Sequence, residues 1–187
     1  QHGGAAPGRA RAIEETRQRN AELAIVNEIG SALARQLEFQ AIIDLVGGRI
    51  RKMFDSQDMY IALYDRATNA LSFDYDIAGG ERQQTKPYEL GPGLTSELIR
   101  SRQSLLLRTG EEIDAHDIIV DAVPAQSWLG VPILAGDDIL GVIALPRLRP
   151  YAFPEAARRL LTTLASTLRT PPRTPPLCPR AHHPPTR

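Results

Sequence analysis

Leu71, Phe73, Tyr75 and Ile77 occupy every second position of the chain, with Ser72, Asp74 and Asp76 between them. Successive side chains of a strand point to opposite faces, so a strict two-residue period sustained over seven residues predicts a strand with one buried and one polar face. Gly79-Gly80 ends it. Upstream, Met59 to Tyr64 is apolar on both faces, as a central strand is, and Asp65 to Asn69 supplies the polar residues of a connecting turn. The two runs therefore read as an antiparallel hairpin. On this reading Phe73 and Tyr75 share one face, where they line a pocket or form plain core.

A second hairpin follows from Ser127 to Leu134 and Ile139 to Leu145 around Ala135-Gly136-Asp137-Asp138. Pro132 lies inside its first strand and cannot donate to a ladder, so that point is expected at an edge or a bulge. Shorter strands are expected at Lys86 to Leu90 and Leu105 to Leu107. Between them Gly91-Pro92-Gly93 turns the chain into a helix over Thr95 to Arg102, whose Leu98 and Ile99 face inward. Thr109 to Gln126 is acidic and broken by Pro124, and is expected to be a long loop with a helical turn around Ile118. A last helix starts near Pro154 and carries Leu160, Leu161, Leu164 and Leu168.

Two helical patterns precede the sheet. Leu23, Val26, Gly30, Leu33 and Leu37 recur at three- and four-residue steps, the seam of a heptad helix, while Glu14, Glu15, Arg17, Arg19 and Glu22 keep the other faces wet. The seam suits either pairing with a second copy or packing on the chain's own domain. Ile42, Ile43, Val46, Ile50 and Met53 form a second stripe, expected to cover the sheet, with either a break between the helices near Gln36 to Glu38 or a single bent helix running through. The expected organisation is a disordered lead-in over 1–12, a signalling or coiled-coil helix over 13–37, a folded domain over 38–168 and a disordered tail over 169–187.

Lysine plus arginine and aspartate plus glutamate both number 22, so no net field draws the chain to nucleic acid or an anionic membrane. The single cysteine, Cys178, leaves no disulfide framework, thiolate zinc site or CxxC pair within the chain. With no run near the length of a membrane span, these features predict a cytoplasmic setting. Pro171 to Arg187 holds seven of the 15 prolines and no acid. That composition suggests a shifted reading frame or truncated gene, or else a proline-rich tail that recruits a partner.

Three stretches carry a resemblance to a known family. Gly91-Pro-Gly-Leu-Thr-Ser-Glu-Leu-Ile-Arg-Ser-Arg-Gln-Ser-Leu-Leu-Leu107 resembles the turn, helix and strand of GAF domains. Ser127-Trp-Leu-Gly-Val-Pro-Ile-Leu134 with Ile139-Leu-Gly-Val-Ile-Ala-Leu145 resembles their paired strands, and Phe153 to Leu168 their exit helix. The resemblance implies an α+β fold: an antiparallel sheet of five to six strands, N- and C-terminal helices on one face, and a loop-covered pocket on the other. It also implies a regulatory input domain of a histidine kinase, cyclase or similar signalling protein, separated from its output domain. Such domains sense a small molecule or serve as ligand-free dimer contacts.

The family's variants can be compared residue by residue. Bilin attachment and the free-methionine-sulfoxide reductase branch both need cysteines inside the domain, and here the only one lies in the tail. The cyclic-nucleotide class has an asparagine-lysine pair where this chain has Pro146-Arg147, with only Phe153 and Glu155 matching further on. No cofactor is therefore assigned.

The candidate pocket residues are Phe73, Tyr75, Leu94, Thr95, Ile118 and Trp128. Trp128 is either pocket wall or core. His116, beside Asp114 and Asp117, is either a haem-iron ligand or a solvated loop residue, and Asp114, Asp117 and Asp121 lack EF-hand spacing. No metal site is assigned. Neither a nucleophile context nor a phosphate loop is present, so the expectation is a domain that is not an enzyme. Its expected partners are a second copy, through Leu23, Val26, Leu33 and Leu37, and a small molecule.

Overall fold

The computed structural model describes residues 7–116 and 125–168. Contacts divide the chain into two compact units with a boundary after Glu38. Helix α1 runs without interruption from Pro7 to Met53. Of the two alternatives at Gln36 to Glu38, the single helix rather than the break occurs, because Gln, Leu and Glu are all good helix formers and neither glycine nor proline stands among them. The helix also starts inside the stretch expected to be a lead-in, at Pro7, whose fixed φ suits a first turn.

In the first unit Leu23, Val26, Leu33 and Leu37 are 60%, 63%, 54% and 71% exposed. In the second unit α1 buries Phe39, Ile43, Val46, Gly47 and Ile50. Ile42 and Met53, expected on that stripe, are exposed. Gly47 is there for close approach: a Cβ would stand 2.8 Å from the Tyr75 ring.

The sheet is antiparallel, built from β1 (Met59–Asp65), β2 (Ala70–Ala78), β3 (Glu81–Arg82), β4 (Tyr88–Glu89), β5 (Leu105–Leu107), β6 (Ser127–Ala135) and β7 (Asp138–Arg147). Its order is β3-β2-β1-β7-β6-β5, with β4 also pairing β2. Five longer strands are thus joined by two two-residue strands. Pro132 lies past the reach of β5, which meets only Trp128 to Gly130, so its missing N–H costs β6 no bond to that neighbour.

Each face of the sheet carries its own core. On one, α1 and α4 (Glu155–Ala165) cover Met59, Ile61, Tyr75, Ile77, Leu129, Val131, Ile133, Ile143 and Leu145. On the other, α2 (Leu94–Ser101) and α3 (Gly110–Asp114) cover Ala62, Leu71, Trp128, Val142 and Ala144. This is the expected α+β arrangement. The described part of the segment expected to be loop includes α3, capped by the Thr109 side chain, which accepts from the Glu112 amide at 3.2 Å. Residues 117–124 and 169–187 lie outside the described residues, and with them Ile118 and the whole expected tail including Cys178.

The expectation that Phe73 and Tyr75 share a face is corrected. Ile61 pairs with Tyr75 but the next residue, Ala62, pairs with Phe73, so Asp74 is an extra residue in β2. This β-bulge turns the strand over: Leu71 and Phe73 face the α2 side, Tyr75 and Ile77 the α1 side. The carbonyl of Asp74 accepts instead from Gln40 Nε2 at 2.9 Å and Arg82 at 2.8 Å. A second bulge makes Leu140 the extra residue in β7.

Candidate functional site

The face under α2 gathers most of the residues singled out from the sequence. Leu94, Thr95 and Trp128 are buried there, and Phe73 packs against the same cluster from β2. Tyr75 does not belong, since the bulge sends it to the opposite core, and Ile118 lies outside the described residues. The order of β1 brings in Tyr60, whose hydroxyl meets the Thr95 hydroxyl at 2.8 Å. Thr95 sits in the first turn of α2, where the Gly91-Pro92-Gly93 turn delivers it, so this contact ties helix to sheet.

Tyr60, Phe73 and Tyr88 form an aromatic run. The Tyr60 and Phe73 centroids are 5.6 Å apart, those of Phe73 and Tyr88 5.3 Å, both pairs tilted. Such spacings are favourable for aromatic contacts. Tyr88 is 48% exposed, so the run leads from a part-buried hydroxyl pair to the surface. Burial pushes the Tyr60 phenol up to about 12, with the Thr95 hydrogen bond offsetting only part of that. Burial, and then the nearby Asp76 carboxylate, also raises Tyr88. Both phenols therefore serve as neutral hydrogen-bonding groups near neutral pH.

Tyr60 and Tyr88 were not singled out from sequence. The signal for Tyr60 was present in Met59 to Tyr64, where a strand apolar on both faces must direct Tyr60, Ala62 and Tyr64 to the same side. Tyr88 carried none, standing in a two-residue strand between Pro87 and Leu90.

Beside this face, Pro92, Gly93, Glu97, Arg100, Ser101 and His116 line an open groove of about 440 Å³. His116 Nδ1 meets Glu97 Oε2 at 2.8 Å, fastening the second residue after α3 to α2, and Arg100 donates to the Gly91 carbonyl at 3.0 Å. The polar groups of the groove thus face one another. Among the described residues no three His, Cys, Asp or Glu side chains gather to hold a metal ion, and no helix is long and apolar enough to cross a membrane.

The GAF domain family model matches residues 36–170. Among solved structures, the chain is similar to residues 122 to 287 of a methyl-accepting chemotaxis protein, with a TM-score of 0.59 and 14% identity over 70% of this chain and 85% of that one. It is similar to the second GAF domain of DevS from Mycobacterium smegmatis, with a TM-score of 0.54 and 16% identity over 69% and 88%. It is also similar to type II free methionine-R-sulfoxide reductase from Thermoplasma acidophilum, with a TM-score of 0.56 and 14% identity over 74% and 92%. Among proteins of curated function none matches this chain.

The last likeness corrects one expectation. A fold shared with a reductase is compatible with catalysis, so the flat expectation that this chain is not an enzyme does not stand. At these identities the likeness speaks for the fold alone, and the family is carried by the match across most of the chain: this chain belongs to the GAF domain family.

Proposed function

We propose that the chain is a cytoplasmic small-molecule-sensing input domain, whose occupancy alters the packing of its flanking helices and thereby regulates an effector of the histidine kinase or cyclase type. The observation that carries this reading is the Tyr60–Thr95 hydroxyl pair, part-buried with Thr95 itself buried, at the inner end of the Tyr60, Phe73, Tyr88 run. Buried polar groups on an otherwise apolar face are costly unless satisfied, and they are the groups by which a pocket orients a ligand. A ligand suited to this face has a flat apolar part for the aromatic rings and one hydrogen-bonding group for the hydroxyls. The similarity to a chemotaxis protein supports a signalling setting.

Native mass spectrometry of the protein purified from its own host tests this. The expected result is a stoichiometric bound mass, lost in Thr95→Val and weakened in Phe73→Leu. A wild-type chain that carries nothing would overturn it and favour a second reading, a ligand-free dimerisation and relay module. That alternative draws on the exposed seam Leu23, Val26, Leu33 and Leu37, and on Leu71, Leu94, Leu98 and Trp128 filling much of the second face. In both readings the seam pairs two copies as a parallel coiled coil.

A further inference from the structure

The C-terminal carbonyls of a helix have no partners within it and must find donors elsewhere. Just past the end of α1, the carbonyls of Phe54 and Asp55 are taken by one side chain from a distant strand. Arg147, the last residue of β7, donates Nη2 to the Phe54 carbonyl and Nη1 to the Asp55 carbonyl, the latter at 3.3 Å. A guanidinium suits this role because its planar fork carries several donors and keeps its charge, which also favours a helix C-terminus.

The same guanidinium lies 5.4 Å from the centroid of Phe153, one residue before the Pro154 cap of α4. Phe153 is buried, and its ring meets that of Phe54 edge-on at 6.5 Å. The Arg147 carbonyl accepts from the Gln126 amide at 2.7 Å, and the buried Ser127 hydroxyl donates to the Arg149 carbonyl at 2.7 Å, so the base of the crossover is pinned to the start of β6. Tyr151, in the left-handed region at φ 54°, is held by its amide bond to the Arg108 carbonyl at 2.7 Å. The segment between β7 and α4 is thereby fixed at three points, and Arg147 reaches from its base to the end of α1 by hydrogen bonds, beside the contact of the Phe54 and Phe153 rings.

We infer that Arg147 is a positioning residue that locks the end of the entering helix to the start of the leaving helix, so that a displacement of either is passed to the other. Its two contacts are unlike in kind, hydrogen bonds on the α1 side and stacking on the α4 side, and one rigid group makes both. This deepens the relay part of the proposed function. Its failure would leave ligand binding, read separately by native mass, untouched.

Amide hydrogen exchange in the full chain tests it, with three reporters: the Phe54 and Ser56 amides, bonded to the Ile50 and Arg51 carbonyls, and the Ala157 amide, bonded to the Pro154 carbonyl. In Arg147→Gln all three are expected to exchange about tenfold faster or more, while the paired centre of β1 and β7 is unchanged. Arg147→Lys keeps the charge but not the fork, and should show the same joint rise to a smaller degree; it decides the matter if the Gln variant does not fold. Phe153→Leu should speed exchange at Ser56 as well as Ala157, and adding Arg147→Gln to it should change little further. A rise at only one helix end, an equal rise across the sheet, or additive effects in the double variant would overturn the inference.

Discussion

The Tyr60 phenol is held neutral by burial, and this has a consequence for stability with a definite sign. Its ordinary value of 10.0 in the unfolded chain rises to about 12 in the fold, so the folded state holds the proton more tightly. Below pH ~10 both states are protonated and the contribution is fully present. As pH rises through 10 to 12 the unfolded chain ionises first and stability falls, by up to about 3 kcal/mol on a two-unit shift. Urea midpoints for wild type and Tyr60→Phe should therefore converge between pH 9 and 11, the variant lacking this part of the alkaline loss. A constant difference between the two across that range would show that Tyr60 does not titrate in the fold as described. The neighbouring residues show what a sequence conveys at this scale. Leu94, Thr95 and Trp128 follow apolar or turn patterns, and the fold gathers them. The Tyr60 to Thr95 contact, 35 positions apart in sequence, has no periodic trace and is visible only once β1 and α2 are placed together.

Among the elements, those defined by alternation were legible and those defined by a boundary were not. Both hairpins were readable because a strand's period of two is written in the residues themselves and closed by turn formers such as Asn69, at φ 53°, and Gly136, at φ 61°. The sequence does not decide between one helix and two in α1, because the change from heptad seam to sheet-covering stripe changes which residues are apolar without changing their helical preference. A helix persists across such a change unless something breaks it. On the first part of α1 the four seam residues are more than half exposed. Burying each is worth about 1.5–3 kcal/mol, enough together to offset the cost of association. Sedimentation equilibrium should find wild type dimeric and the double substitution Val26→Glu, Leu33→Glu monomeric, with at least a hundredfold weaker association. A substituted chain that stays dimeric would place the contact elsewhere, and a monomeric wild type would remove it.

At the scale of the whole domain, one sheet separates two apolar cores, and every strand must contribute the correct residues to each. For β6 a single rule suffices over its buried stretch, with Leu129, Val131 and Ile133 on the α1 side. For β2 it does not, and Asp74 is where the rule changes. Odd-numbered residues serve the α2 side before that point and the α1 side after it, so the strand keeps one spelling while reversing its meaning. A reader of sequence sees an unbroken alternation across the one position that interrupts it. The consequence concerns the backbone rather than the side chain. Replacing Asp74 by another polar residue leaves the count intact and should cost no more than about 1 kcal/mol, the common cost of a single substitution. Deleting it would make Phe73 and Tyr75 ordinary strand neighbours pointing to opposite faces, so that both cores keep their residues and the loss is the Asp74 carbonyl that accepts from Gln40 and Arg82, about 1–3 kcal/mol. A deletion variant that loses its cooperative unfolding transition would contradict this. In this domain a single unpaired residue does the work of a reading frame.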